Sequence, residues 1–539
     1  MVRSRAKYSC SGPGVNDVVY PHSGNGPYRV MRGFNSRVVE TLERACVDPR
    51  AAQADRLRAI VAGVTHTRFG LEHGLVGDED LDAWRSRVPI RTHAELVGWL
   101  DAVAAGEPNV LTRAPVRSLL ETSGTTGRPK WLPVTDPWAR SVADAQALWV
   151  LALLRDDEGL ASGKALSVVS AAEHLRSPGG LAVGSNTGRM FLAQPWWVRW
   201  RAPVPYAAYI LEDPAIRAYA VLRHALTQPV TSWTTANPST ILLYCRRLAE
   251  WWDDLCADVA DGTLCRGPAA ALDPAVRKAA ARGIKRARLT GDPLPAKIWN
   301  LRRINCWTGG SAPFFLGRLP AALGADIPVR EVGVTASEGF FAIPVDDDAS
   351  VAWLAGHLLE FVDDAGVARM AWEVETGAEY RLVVSTEAGL YRYDLGDVVR
   401  VVGWCGGAPR LVFVRKVGNV LNAMGEKVTE DQVVEAARRA FPGAIGVSAS
   451  IGWADVPWLR VAIEGGGDIA AFDGALRELN VEYDGRRSSG RMAPPALVAV
   501  APGAFSAWRD ARVRAGAPDA QVKDPIVLDP DRWDALVAR

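Results

Sequence analysis

The chain is short of the residues that build disulfide frameworks and transition-metal centres. Its seven cysteines, at positions 10, 46, 245, 256, 265, 306 and 405, are odd in number and scattered, with no Cys-x-x-Cys pair. That pattern excludes a disulfide scaffold and fits a reduced cytoplasm, with the thiols serving as small hydrophobes. Seven histidines are spread as thinly, without a His-x-x-x-His spacing or a Cys/His cluster, so the only metal to expect is a loosely held hard cation. Net charge is lacking too: 62 basic residues face 61 acidic ones, and no general field draws the chain to nucleic acid or to an anionic membrane. Long apolar runs are missing. The longest, Ala147 to Leu154, falls far short of the roughly 20 residues that a bilayer span requires and reads as a buried helix. No signal-peptide pattern, internal repeat or low-complexity tract is visible.

What the chain has is length. At about 150 residues per domain, 539 residues make three or four structural units, with a small molecule as the expected partner. Residues 1–27, rich in Gly, Ser, Pro and Asn, read as a loose leader. From about Tyr28 to Ser118 apolar residues recur at helical spacing, as at Val39, Leu42 and Ala45 and again at Leu57, Ile60 and Val61. The middle alternates helical patterns with short β-branched runs such as Lys164 to Ser170, which predicts α/β layering. It closes in a β-rich unit, where the runs Tyr380–Ser385 and Asp397–Val402 are joined through Gly389 and Gly396. After Lys416 the pattern restarts with a capping box at Thr429 to Gln432 and a helix stopped by Pro442-Gly443. The expected division is a leader over 1–27, a large N-terminal domain over 28–415 and a C-terminal domain over 416–539, the boundary falling near Lys416 to Asn419.

Four segments carry chemistry. In Leu119-Leu-Glu-Thr-Ser-Gly-Thr-Thr-Gly-Arg-Pro-Lys130 the glycines let the backbone approach an anion. Its N–H groups and hydroxyls can donate to phosphate oxygens, and Lys130 adds a charge. Pro129 stands where the Walker pattern requires Gly, which disfavours ordinary P-loop chemistry. Trp307-Thr-Gly-Gly-Ser-Ala-Pro313 is a second turn that exposes backbone. Glu331-Val-Gly-Val-Thr-Ala-Ser-Glu338 ends small residues in a carboxylate suited to magnesium. Gly389-Leu-Tyr-Arg-Tyr-Asp-Leu-Gly-Asp397 sets an aspartate after a glycine between two strands, where one carboxylate can accept both hydroxyls of a ribose. Singly, each has a plain alternative: a polar loop, a tight turn, a solvated acid, a turn aspartate. Their order along the chain is what changes the odds.

The set ETSGTTGRPK, TGGSAP, VTASE and YRYDLGD resembles the adenylate-forming superfamily of acyl-CoA synthetases, luciferases and peptide-synthetase adenylation domains. More closely, the chain resembles a bacterial-type member of the auxin-conjugating acyl acid amido synthetase family, the Gretchen Hagen family. The likeness extends through TRFGLEHG with RVPIRTHAELVGWLD, ILEDPAIRAYAVLRHAL with LAEWWDDLCADVADGTL, GLYRYDLGDVVRVVGW, and ELNVEYDGRRSSGRM with DAQVKDP, over roughly residues 28 to 530.

The resemblance implies a large α/β N-terminal adenylation domain with a β-rich unit and a small mobile α/β C-terminal cap. It implies two half-reactions: a carboxylate attacks the α-phosphate of ATP to give acyl-AMP and pyrophosphate, then an amine or amino acid displaces AMP to form an amide. By motif, Ser123, Gly124, Thr125, Thr126, Gly127 and Lys130 would cradle the phosphates. Gly309, Gly310, Ser311, Val334, Thr335, Ala336 and Ser337 would face the adenine, Glu338 the magnesium, Asp397 the ribose, and Arg415 ribose or phosphate. Lys523, in QVKDP, would enter from the cap and stabilise charge gathering on the attacked phosphorus. The family's aromatic residues at two of these places are replaced by Val334 and Val522. An acyl pocket for a small aryl acid would draw on Trp149, Leu153, His174 and Arg176, with the tryptophans Trp196, Trp197 and Trp200 nearby. Two other readings keep the nucleotide site: transfer to a thiol of CoA or of a carrier protein, or to a hydroxyl, for which no pantetheine motif is present, and a nucleotide-binding regulator without turnover.

Overall fold

The computed structural model describes residues 19–122, 130–310, 312–417, 420–421, 423, 426–454, 456–515, 517 and 522–538. Two compact units are present, neither continuous in sequence. The first comprises the described residues of Met1–Ala165, Val169–Ala202 and Val329–Phe413; the second comprises those of Leu166–Val168, Pro203–Pro328 and Val414–Arg539.

In the first unit the helical spacing near the start forms the helices Ser36–Val47 and Pro49–Val64, which bury Val39, Leu42 and Ala45, then Leu57, Ile60 and Val61. The apolar run at 147–154 lies inside the 21-residue helix Asp136–Asp156. Two sheets carry the rest. One has the order Lys130–Thr135, Val116–Thr122, Ala182–Gly184, Leu175–Arg176. The other, the expected β-rich unit, has eight strands in the order Ala368–Arg369, Leu358–Val362, Glu379–Ser385, Tyr393–Cys405, Ala408–Lys416, Ser350–Ala352, Gly339–Pro344, Val334–Ala336.

Two sequence expectations need correction. The leader expected over 1–27 is packed in its described part, residues 19–27. Val19 and Tyr20 are buried, the Tyr20 hydroxyl donates to the Leu148 carbonyl at 2.7 Å, and Asn25 caps the helix Gly26–Phe34. Tyr20 and Tyr28 supply an aromatic anchor that a local count of Gly, Ser and Pro overlooks. Gly396, expected to join two strands, lies within the single strand Tyr393–Cys405, where it makes a bulge described below.

In the second unit the strands Val230–Thr234 and Arg303–Asn305 pair in parallel. Further on, the strands Gly446–Gly452, Trp458–Glu464 and Ala496–Ala499 form a sheet in that order. The capping box predicted at Thr429 is present: the backbone N–H of Thr429 donates to Gln432 Oε1 at 3.1 Å, and the helix Glu430–Ala440 follows.

Two histidines of the first unit are held neutral, His357 buried and His93 half-buried. Neither ring nitrogen of His357 has a hydrogen-bond partner, and burial, then the Arg56 charge, lowers its pKa to about 3. His93 Nε2 is likewise unpartnered; burial, then the Lys130 ammonium, lowers its pKa to about 4. In the unfolded chain both bind protons near pH 6.5, so the stability they contribute is complete above that pH and is lost as the pH falls toward 4 and 3. Urea denaturation between pH 6.5 and 5 is expected to show stability falling on acidification by up to about 1.4 kcal/mol per pH unit for each histidine. His357→Leu is expected to make that slope shallower, and an unchanged slope would refute the assignment.

Candidate functional site

The helix Asp136–Asp156 begins directly after the strand that carries Lys130. Its N-cap, Thr135, accepts from the Trp138 backbone, and Pro137 sits in the first turn. Trp138 and Trp149 are eleven residues apart, about three turns at 3.6 residues each, and so share one face. Both are buried. Trp138 Nε1 donates to the Glu338 carbonyl at 2.7 Å and Trp149 Nε1 to the Glu331 carbonyl at 3.2 Å. One helix face therefore fixes both ends of the Glu331–Glu338 motif. Within it, Val334–Ala336 pairs with Gly339–Pro344 and Ala336 stands opposite Gly339, which leaves Ser337 and Glu338 as the two-residue tip of a hairpin. Val334 is buried, while Thr335, Ala336, Ser337 and Glu338 are half-buried.

The Glu338 carboxylate is held from the strand Tyr393–Cys405, three places along the sheet from Gly339–Pro344. The Tyr393 hydroxyl donates to Glu338 Oε1 at 3.3 Å. Burial first, then the charges of Glu338, Asp397 and Asp394, raise the Tyr393 pKa far above its ordinary value, so Tyr393 stays a neutral donor. Asp397 reaches this cluster through a bulge. Arg381 pairs with Val398 and Val383 with Asp394, so Leu395, Gly396 and Asp397 stand opposite Leu382 alone. Gly396 has φ +68° and its N–H donates to Asp394 Oδ1 at 2.9 Å. A left-handed residue in the extra loop of a bulge is a place for glycine, and the result turns the buried Asp397 toward Tyr393.

Lys130 pairs directly with Thr122 across the antiparallel strands, which holds the two ends of the predicted phosphate loop together. Ser123, Gly124, Thr125, Thr126 and Gly127 lie outside the described residues, as does Ser311. Next to the loop, the buried Glu121 carboxylate accepts from Trp131 Nε1 at 3.3 Å and lies 2.8 Å from His174 Nε2. Of the acyl-pocket candidates, Trp149 and Leu153 belong to the core of the first unit. Arg176 is exposed and pairs with Glu173 at 2.7 Å, and Trp196 and Trp200 are exposed.

In the second unit the strand Arg303–Asn305 leads into Trp307-Thr-Gly-Gly310. Gly310 has φ +61°, and Ala312 donates back to the Gly309 carbonyl at 3.2 Å. The Lys523 ammonium stands 4.4 Å from the centre of the Trp307 ring, so the predicted lysine and the predicted Gly-Gly turn are neighbours. Arg415 is half-buried on the strand Ala408–Lys416.

Sequence reasoning missed Trp138, Tyr393, Glu121 and His93. Only the tryptophans left a signal, in their helical spacing. Among the described residues no group of three His, Cys, Asp or Glu side chains could hold a metal ion. A lone carboxylate such as Glu338, beside polyphosphate oxygens, is the donor set that magnesium accepts, since it is usually held by one or two carboxylates plus substrate phosphate.

Three family models match the chain in succession: the GH3 family N-terminal domain over residues 38–329, the GH3 family central domain over 334–416 and the GH3 family C-terminal domain over 467–531. The chain belongs to the GH3 family. Within GH3, it is similar to the jasmonoyl–L-amino acid synthetase JAR4 of Nicotiana attenuata, at 25% identity over 93% of this chain and 94% of that protein. It is also similar to the indole-3-acetic acid-amido synthetase GH3.8 of Oryza sativa subsp. indica, at 27% identity over 88% and 87%. The fold matches the GH3.15 acyl acid amido synthetase with a TM-score of 0.83, 21% identity and coverage of 94% and 96%. It matches a 2-hydroxyisobutyryl-CoA ligase more loosely, with a TM-score of 0.53, 17% identity and coverage of 90% and 89%. The fold is thus that of the GH3.15 acyl acid amido synthetase, a multi-sheet α/β architecture of the class that the sequence resemblance implies.

Removing the Tyr393 hydroxyl tests the hold on Glu338. Tyr393→Phe keeps the ring and its packing, so the melting temperature is expected to move little. The affinity for ATP in magnesium is expected to fall about three- to tenfold, consistent with a modest hydrogen bond to a charged group. Isothermal titration with and without magnesium reads the effect, and an unchanged magnesium dependence would show that Tyr393 does not orient the carboxylate.

Proposed function

We propose that this GH3-family ligase takes a small aryl carboxylic acid as its first substrate and an amino acid as its acceptor. Its coarser activity is that of an ATP-dependent ligase that forms an acyl adenylate and passes the acyl group to an amine, giving an amide. What supports the finer reading is the extent of the likeness: a relative named for indole-3-acetic acid, an aryl acid, and one named for an L-amino acid acceptor each align over most of both chains.

In the first half-reaction a carboxylate oxygen of the acid attacks the α-phosphorus of ATP and the bond to pyrophosphate breaks. In the second the amine nitrogen attacks the acyl carbon, the bond to AMP breaks, and the nitrogen gives up its proton. Roles follow for the residues of this chain. Ser123, Gly124, Thr125, Thr126, Gly127 and Lys130 bind the phosphates, Lys130 next to a His93 that stays neutral and brings no second positive charge. By motif, Thr335, Ala336 and Ser337, on a hairpin fixed by Trp138 and Trp149, are assigned to the base, and so are Gly309, Gly310 and Ser311. Val334 packs in the core and offers no aromatic ring to the adenine. Asp397 accepts the ribose hydroxyls and Arg415 supports them.

Glu338, with one oxygen steadied by Tyr393, would hold magnesium, which supplies charge neutralisation on the phosphate oxygens. Lys523 stabilises the charge that builds on the α-phosphate in the transition state. The acid is bound near Trp149 and His174, the latter braced by Glu121. We place the ligase in the cytoplasm. The six cysteines among the described residues are free thiols, and no helix there is long and apolar enough to cross a membrane.

Pyrophosphate release with ATP and magnesium against pooled acids, each with and without amino acids or CoA, tests the reading. Release is expected to depend on an aryl acid and to accelerate with amino acids, with an amide in the product mass spectrum. Acceleration by CoA alone, with a thioester product, would overturn the acceptor. Lys523→Ala is expected to lower acid-dependent release by about 100-fold or more while ATP still binds, and release at the original rate would remove the lysine from the mechanism.

A further inference from the structure

We propose that Trp307 is the positioning residue for Lys523: the indole face, together with a clamp built from the Asn237–Thr240 segment and Arg509, sets the lysine ammonium in its working place. The inference rests on the adenylation role given to Lys523 above and adds to it the device that aims the side chain.

The clamp begins where the strand Val230–Thr234 passes into the helix Pro238–Glu250. Asn237 Nδ2 donates to the Val522 carbonyl at 3.2 Å, and Arg509 Nη1 donates to the same carbonyl at 3.1 Å. Arg509 is buried, and its Nη2 donates to Thr240 Oγ1 at 3.0 Å. On the other side of the lysine, the Asp524 carboxyl group is hydrogen-bonded to Ser239. The residues before and after Lys523 are therefore tied to the same four-residue segment. Trp307 is tied to the residue just before that segment, since its backbone N–H donates to the Ala236 carbonyl at 2.9 Å.

The lysine and the indole are thus fixed to one template at their backbones, and the side chains meet with the ammonium 4.4 Å from the ring centre. That distance is inside the roughly 6 Å over which a cation is attracted to the face of an aromatic ring, and tryptophan has the strongest face. The need for such a guide is entropic. Lys523 is exposed, and a flexible four-carbon stem has many rotamers to lose before it serves one phosphate oxygen. An aromatic face that attracts the cation narrows those rotamers. Val522, which replaces the family's tyrosine, is buried, so at this position the guiding ring comes from Trp307 instead.

The test separates the half-reactions. Acid-dependent ATP–pyrophosphate exchange reads adenylation, and aminolysis of a synthetic acyl adenylate reads the transfer step. For Trp307→Leu the exchange kcat is expected to fall about tenfold with KM for ATP changed less than twofold, while aminolysis is held within about twofold. Trp307→Phe, which keeps an aromatic face, is expected to recover most of the loss. Exchange at the original rate in Trp307→Leu would overturn the proposal. So would a parallel loss in both half-reactions with Phe no better than Leu, which would mark Trp307 as merely structural. Lys523→Ala run alongside keeps the two readings apart: if it retains exchange, the lysine assignment itself fails, whereas its loss beside an unaffected Trp307→Leu defeats only the positioning role.

Discussion

The first unit depends on two indole N–H groups that donate to two backbone carbonyls. Glu331 and Glu338 bound a short hairpin of small residues, of which Val334 packs in the core. Trp138 and Trp149 reach the carbonyls at its two ends from one face of a 21-residue helix. Because both indoles are buried, their N–H groups would be costly to leave unpaired, and the helix and the hairpin fix one another. The helix starts at the end of the strand that carries Lys130, so the phosphate-loop anchor and the hairpin tip are placed by one rigid element. Functional groups held by regular structure are more finely set than groups left on loops.

Around that hairpin the Glu338 carboxylate accepts from the Tyr393 hydroxyl. Burial and the nearby negative charge of Glu338, Asp397 and Asp394 keep the proton on that phenol. At the start of the strand that carries Lys130, the lysine lies beside a histidine that stays uncharged, so His93 adds no charge to it. Two structural choices produce this arrangement, the left-handed Gly396 that turns Asp397 out of the strand register and the burial that keeps His93 neutral.

In the second unit the equivalent constraint is a shared template. A four-residue segment at a helix start is hydrogen-bonded to the residues on both sides of Lys523, Asn237 donating to the Val522 carbonyl and Ser239 bonded to Asp524, and the residue just before it, Ala236, accepts from Trp307. Elements more than 200 residues apart in sequence meet there, and the only trace of this in the local sequence is the unremarkable stretch Ala-Asn-Pro-Ser-Thr.

The sequence by itself determined the chemistry classes and much of the scaffold. The glycine and hydroxyl content of the 119–130 stretch, the carboxylate at 338 and the aspartate at 397 are legible as candidates because backbone approach, charge and hydrogen-bonding capacity are properties of residue types, whereas Lys523 is singled out only by the family resemblance of its motif. Helices with clean apolar periods, the Thr429 capping box and the β-branched strands are legible because they rest on local spacing. Only the tertiary structure decided the rest. Tyr393 meets Glu338 through strand order, Trp138 and Trp149 find their carbonyls through helix placement, and residues 19–27 pack because Tyr20 reaches Leu148 across 128 positions. Gly396 reads as a turn in sequence and becomes a bulge because the partner strand continues past it. Such contacts are invisible to local patterns, since they are set by which surfaces the fold brings within hydrogen-bond reach.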